Sequence, residues 1–238
     1  MNKQSIGILA ACLLLGAGVD GAEPQLGGPM KHLLVTLQGG TININFESGD
    51  PSEVMELRGY EETYAGAAGV LDGAMYNGQY GWLAGGFINL PPDTGIWVEL
   101  LAQTNGIEIY EQGSFDPIFT TNGADALWRW NGTMIHNWYT AEEPGAYEAT
   151  YMVYVGDSIG APDPLFGAGL VTIRWMIPEP PCVADINSDG VVDTADLGLL
   201  IGAFGGVDPI ADLNSDGTVD TADLGLLIGE FGSDCPAG

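Results

Sequence analysis

Basic side chains are almost missing from this sequence. Lys3, Lys31, Arg58, Arg129 and Arg174 stand alone against 32 Asp and Glu, for a formal net charge of −27 over 238 residues. A surface of that sign repels phosphate backbones and anionic headgroups, which excludes nucleic acid and lipid surfaces as partners. Histidine is as scarce, with His32 and His136 only. A nucleophilic triad needs a histidine base, and with so few histidines no catalytic constellation stands out. Beyond residue 19 no apolar run reaches the length of a membrane span. Cysteine is limited to Cys12, Cys182 and Cys235. Apolar residues are not in short supply: at 46% they provide a core, and the chain is no disordered acidic tail.

The first 22 residues read as an export signal. Lys3 supplies the positive start, Ile6 to Val19 the apolar run, and Gly21-Ala22 a small-residue exit. Leu9-Ala10-Ala11-Cys12 also resembles a lipoprotein cleavage box, with Cys12 taking the lipid, so lipidation stays open beside ordinary secretion. Export places Cys182 and Cys235 in an oxidising compartment, where a disulfide is the default reading. Closing a loop of that size stabilises by about 4 kcal/mol on the chain-entropy account.

The chain repeats itself. Residues 184–205 and 211–232 agree at nineteen of 22 positions, with an offset of 27. Before them, Pro178-Glu179-Pro180-Pro181 is a stiff spacer and a natural boundary. It separates a region over 30–177 from a module over 182–238. Each repeat carries oxygen donors at positions 1, 3, 5, 7, 9 and 12 of a twelve-residue loop, the set that calcium requires. In the first these are Asp185, Asn187, Asp189, the Val191 carbonyl, Asp193 and Asp196, with Gly190 at the sharp turn. In the second they are Asp212, Asn214, Asp216, the Thr218 carbonyl, Asp220 and Asp223, with Gly217. Two calcium ions follow. An acidic turn complementing a helix dipole explains one Asp, but not this full set twice.

Val192 and Val219, at loop position 8, are expected to point into a core between paired loops. Leu197, Leu200, Ile201 and Phe204 predict one apolar helix stripe, repeated by Leu224, Leu227, Ile228 and Phe231. Gly198, Gly202, Gly225 and Gly229 weaken these helices, and a close approach of the two backbones is the expected compensation.

Residues 182–238 resemble a type I dockerin, two D-x-N-x-D-G-x-x-D-x-x-D loops each followed by one helix. The resemblance implies docking on a cohesin module through loop positions 10 and 11, here Thr194-Ala195 and Thr221-Ala222. The flanking Cys182 and Cys235 are similar to the cysteine-bracketed C-terminal repeats of some planctomycete surface proteins, which implies anchoring to an envelope partner. The module has no Lys or Arg, so basic contacts that some dockerins make are excluded.

The region 30–177 has a different texture. Thr41 to Phe46 alternates apolar and polar residues; Tyr147 to Val155 and Leu170 to Ile177 are β-branched and aromatic. Ile96 to Leu101 and Ile107 to Tyr110 predict a hairpin across Thr104-Asn105-Gly106. The expected fold is mostly β: a β-sandwich or jelly roll, with long Gly-rich loops between residues 59 and 95, followed by the small all-α module. Glu47, Glu53, Asp93, Glu99, Glu108, Asp116 and Glu142 leave paired-carboxylate glycoside hydrolysis available. Tyr76, Tyr80, Trp82, Trp97, Trp128, Trp130, Trp138 and Tyr139 either stack sugars on a surface or fill the core. Tyr76 to Trp82, Trp130 to Tyr139 and Tyr154 to Asp157 resemble secreted cyanobacterial proteins controlled by a zinc-uptake repressor, whose PEP-type sorting tail is missing here. That resemblance implies zinc handling, with His136 as the candidate ligand; a buried packing histidine is the plainer alternative.

The leading expectation is a secreted or surface-attached, non-catalytic protein, in which the β domain binds a ligand and the module docks or anchors it. A polysaccharide-binding or polysaccharide-degrading protein, and an accessory zinc-handling protein, are the alternatives.

Overall fold

A computed structural model describes residues 23–179 and 181–235. The leader expected over 1–22, with Cys12 in it, lies outside the described residues, as does Pro180. The chain divides into two units, one ending at Ile177 and the next starting at Pro178.

The first unit is mostly β, in three sheets. Its strands are β1 (Lys31–Gln38), β2 (Thr41–Phe46), β3 (Val54–Glu56), β4 (Arg58–Gly59), β5 (Met75–Asn77), β6 (Tyr80–Ala84), β7 (Gly95–Gln103), β8 (Glu108–Tyr110), β9 (Pro117–Ile118), β10 (Leu127–Trp130), β11 (Ile135–His136), β12 (Trp138–Ala141), β13 (Gly145–Gly156) and β14 (Gly169–Ile177). The sheet orders are β11-β6-β1-β2, β10-β7-β13-β14-β3 and β4-β5-β12-β8-β9. Strand β13 shows why this sequence folds as sheet. Tyr147, Ala149, Tyr151, Val153 and Val155 alternate into the core, while Glu148 faces out. Its register with β14 sets Tyr147 opposite Trp175, Ala149 opposite Ile173 and Tyr151 opposite Val171. These rows join Leu33, Val35, Trp82, Val98, Ile109 and Tyr139 in one core drawn from all three sheets.

Two expectations need correction. The segments flanking Thr104-Asn105-Gly106 are strands, β7 and β8, but they do not pair with each other. Strand β7 pairs with β10 and β13, whereas β8 pairs with β9 and β12. The turn, with Gly106 at φ 88°, hands the chain from one sheet to another. Residues 59–95 are also more ordered than a run of Gly-rich loops, since they hold a 3-10 turn at Gly66–Leu71 and the strands β5 and β6. Glycine disguises them. A Cβ on Gly78 would lie 2.7 Å from the Trp138 ring, and one on Gly81 would lie 2.5 Å from His136 Nε2. Both glycines clear space for a neighbouring ring, a recognised use of glycine within a sheet.

Tyr76, Tyr80, Trp82, Trp128, Trp130, Trp138 and Tyr139 are buried. They fill cores rather than forming a sugar-stacking platform. Trp97 is half-buried, with the Arg129 guanidinium 5.8 Å from its ring centre.

The second unit holds α1 (Thr194–Ala203) and α2 (Thr221–Glu230) around a small core of Ala184, Val192, Leu200, Ala211, Val219 and Leu227. Val192 and Val219 are fully buried, but the two loops do not close on each other. Val219 exchanges backbone hydrogen bonds with Gly205 and Gly206 just after α1, and Val192 does so with Gly232 and Ser233 just after α2. The apolar stripe also differs from expectation. Leu200 and Leu227 point in, while Ile201, Phe204, Ile228 and Phe231 are exposed. Burial of Asp196 and Asp223 in the first helical turn sets the rotation of each helix, so the position five residues on faces out. Phe204 and Phe231 are C-caps, where the chain has already left helical dihedrals. Gly198, Gly202, Gly225 and Gly229 face open space, so close helix contact is not their role. Cys182 and Cys235 are joined in a disulfide, with Cα atoms 5.7 Å apart.

Two predictions follow from this packing. All six tryptophans belong to the first unit, so their fluorescence reports its unfolding alone. In urea, Gly78→Ala is expected to lower its stability by about 1–3 kcal/mol through overpacking, whereas Gly59→Ala, with nothing within 4 Å of the added carbon, leaves the midpoint in place. Replacing both disulfide cysteines with serine is expected to destabilise the helical unit by about 2–4 kcal/mol, read by far-ultraviolet circular dichroism, without moving the tryptophan transition.

Candidate functional site

Each repeat begins with a loop held by its own side chains. Asp185 accepts from the Asp189 and Gly190 N–H groups, at 3.1 and 2.9 Å. Asn187 Oδ1 accepts from Asp189 at 2.9 Å, and Asp189 from Val191 at 3.1 Å. Asp196 receives the Asn187 N–H at 3.1 Å on one oxygen and the Asp193 N–H at 2.8 Å on the other. Asp193 caps α1 by accepting from Ala195 at 2.6 Å. The second loop repeats every bond within 0.1 Å: Asp212 with Asp216 and Gly217, Asn214 with Asp216, Asp216 with Thr218, Asp223 with Asn214 and Asp220, and Asp220 with Ala222. Gly190 and Gly217 sit at φ 95° and 94°, where a side chain is strained. All twelve metal-ligand candidates therefore belong to two matched loops. The Val191 and Thr218 candidates are their backbone carbonyls.

The electrostatics of these loops are one-sided. Asp196 and Asp223 are fully buried. The unit contains no Lys, Arg or His to offset them. The Thr218 hydroxyl beside Asp216, and the Asp220 N–H on Asp223, hold these two carboxyls below the usual carboxylate range. Buried charges are ordinarily paired or bound to a metal. Among the described residues, no three His, Cys, Asp or Glu side chains stand gathered as a metal cluster. The donor set of these loops is mixed, because it adds an Asn amide oxygen and a main-chain carbonyl to the carboxylates. Every donor is oxygen, which fits a hard cation such as calcium.

Thr194, Ala195, Thr221 and Ala222, the expected recognition residues, are exposed at the start of the helices. Leu199, Ile201 and Phe204 are also exposed, at 47%, 59% and 48%, as are Leu226, Ile228 and Phe231, at 43%, 60% and 46%. With Gly198, Gly202, Gly225 and Gly229, these residues give each helix an apolar outer surface, which in α2 ends at the partly exposed Glu230. Sequence periodicity assigned Ile201, Phe204, Ile228 and Phe231 to the core, and only the depth of Asp196 and Asp223 reveals the true phase.

In the β unit the carboxylates have separate occupations. Glu47 bonds His32, Glu53 pairs with Lys31, and Glu108 accepts from the Tyr110 hydroxyl. Glu108 and Glu142 line one cavity of about 670 Å³, together with Asp72 and Glu143. His136 is buried, and its Nδ1 donates to the Gly78 carbonyl at 2.9 Å.

No protein-family model and no curated protein matches the chain. Among solved structures, the type II cohesin–dockerin domain from Bacteroides cellolosolvens is similar to 23% of this chain, at 36% identity over 92% of its own length and a TM-score of 0.22.

Proposed function

We propose that residues 182–238 are a dockerin-like module that binds two calcium ions and docks an exported protein on a cohesin-like or envelope-anchoring partner. One observation carries the calcium reading: Asp196 and Asp223 are sealed from solvent in a unit with no basic side chain. A divalent ion supplies the missing positive charge. Asp185, Asn187, Asp189, Asp193, Asp196 and the Val191 carbonyl would hold one ion, and Asp212, Asn214, Asp216, Asp220, Asp223 and the Thr218 carbonyl the other. The docking reading is supported by the two outer helix faces, apolar on a chain of net charge −27. Surfaces of this kind mark interaction sites. The β unit, sandwich-like in its sheets and core, is then the delivered cargo. Its buried aromatics favour a binding or structural role over sugar stacking. The leader-like start of the sequence and the disulfide support secretion or surface attachment as part of this reading.

Calcium titration of the full chain is expected to saturate at two ions and to raise the helical circular dichroism signal, which chelator reverses. A chain equally helical after exhaustive chelation would count against the reading. Because the repeats are nearly identical, Thr194-Ala195 and Thr221-Ala222 offer interchangeable contacts. Thr194→Asp or Thr221→Asp alone is expected to leave binding to envelope extract in place. The double change is expected to abolish it, since uncompensated charge at an interface costs about 2–5 kcal/mol. Identical partner lists from wild type and double variant would leave the repeats a purely structural role.

A further inference from the structure

The chain has two histidines, and the fold brings them together. His32 on β1 and His136 on β11 both stand opposite Gly81 of the strand between them, β6. Residues paired across neighbouring strands share a face of the sheet. Both imidazoles therefore rise on the side where Gly81 has no side chain, and their ring centres lie 5.3 Å apart.

Each ring is fixed through Nδ1. His136 donates to the Gly78 carbonyl at 2.9 Å, and His32 bonds the Glu47 carboxylate at 2.6 Å. A carbonyl only accepts, so the His136 proton resides on Nδ1 and, in the neutral ring, the lone pair on Nε2. Both Nε2 atoms are buried and have no hydrogen-bond partner among the described residues. One nitrogen held by a carbonyl or carboxylate, with the other left free, is the arrangement by which proteins orient metal-binding histidines.

We propose that His32 and His136 bind one first-row transition ion of the zinc or copper class through their Nε2 atoms. Imidazole suits these ions, whereas calcium prefers oxygen. Two imidazoles on one tetrahedral zinc, with bonds of about 2.0–2.1 Å, have ring centres roughly 5 Å apart, close to the separation found here. Among the described residues no third His, Cys, Asp or Glu completes a cluster. The remaining coordination positions are open to water or to an outside donor. The His32 side chain retains 12% exposure and Glu47 53%, so the pair lies one side chain beneath the surface. This site stands apart from the calcium-loop and docking readings.

The test is a titration of the full chain with zinc chloride in excess calcium, followed by imidazole nitrogen-15 resonances. With two histidines present, both Nε2 signals are expected to shift together and saturate at one zinc per chain. His32→Gln is expected to remove saturable binding. Glu47→Gln, at a half-exposed position, is expected to weaken affinity by about 10–100-fold with the tryptophan unfolding transition unchanged. Two imidazole signals unmoved by equimolar zinc in the wild-type chain would overturn the proposal, as would unchanged zinc affinity in folded His32→Gln.

Discussion

A carboxylate withdrawn from water needs a positive charge, and the helical unit has none of its own. Asp196 and Asp223 are buried without a basic neighbour, and the local architecture answers to that fact. Each takes two main-chain N–H groups of its loop, which draws the loop around it. Each also sits at the third position of its helix and so decides which side of that helix faces in. Leu200 and Leu227 follow inward, while Ile201 and Ile228 are turned out. The electrostatic demand of the loop thus generates the apolar surface of the helix.

The β unit is governed by shape rather than charge. Its rings meet edge to face, as with Trp82 and Tyr151 at 5.7 Å or Tyr80 and Trp175 at 5.8 Å. Glycines lie where these rings need clearance, and the same device leaves room for two imidazoles over Gly81. Several polar atoms in this interior, including Trp175 Nε1 and the Tyr151 hydroxyl, have no hydrogen-bond partner among the described residues. Burial of the Tyr151 hydroxyl pushes its pKa well above the ordinary tyrosine range.

The loops were legible in the sequence because the same Asp, Asn and Gly positions recur at fixed spacing over twelve residues, twice. Strands β2, β13 and β14 were legible because alternation is a local signal. The false hairpin around Asn105-Gly106 shows where local signals fail: β7 and β8 have the composition of adjacent strands, but their partners lie elsewhere in the chain. Strand β6 escaped notice because Gly78 and Gly81, read alone, are loop residues, and only the rings above them explain their presence. The approach of His32 to His136 was hidden for the same reason. Nothing along the chain announces that both strands share β6 as a neighbour.

The crossed closure of the helical unit bears on how such a module arises. Val219 of the second repeat bonds the chain after α1, and Val192 of the first bonds the chain after α2. Neither repeat holds the partner for its own loop, so half of the module is an unfinished object. A single repeat of this design lacks the main-chain partner of its own loop, and a second copy related by two-fold symmetry would supply it. Fusion of two copies into one chain preserves that symmetry and frees it from protein concentration. Afterwards both copies must keep the same shape, because each is the mould for the other.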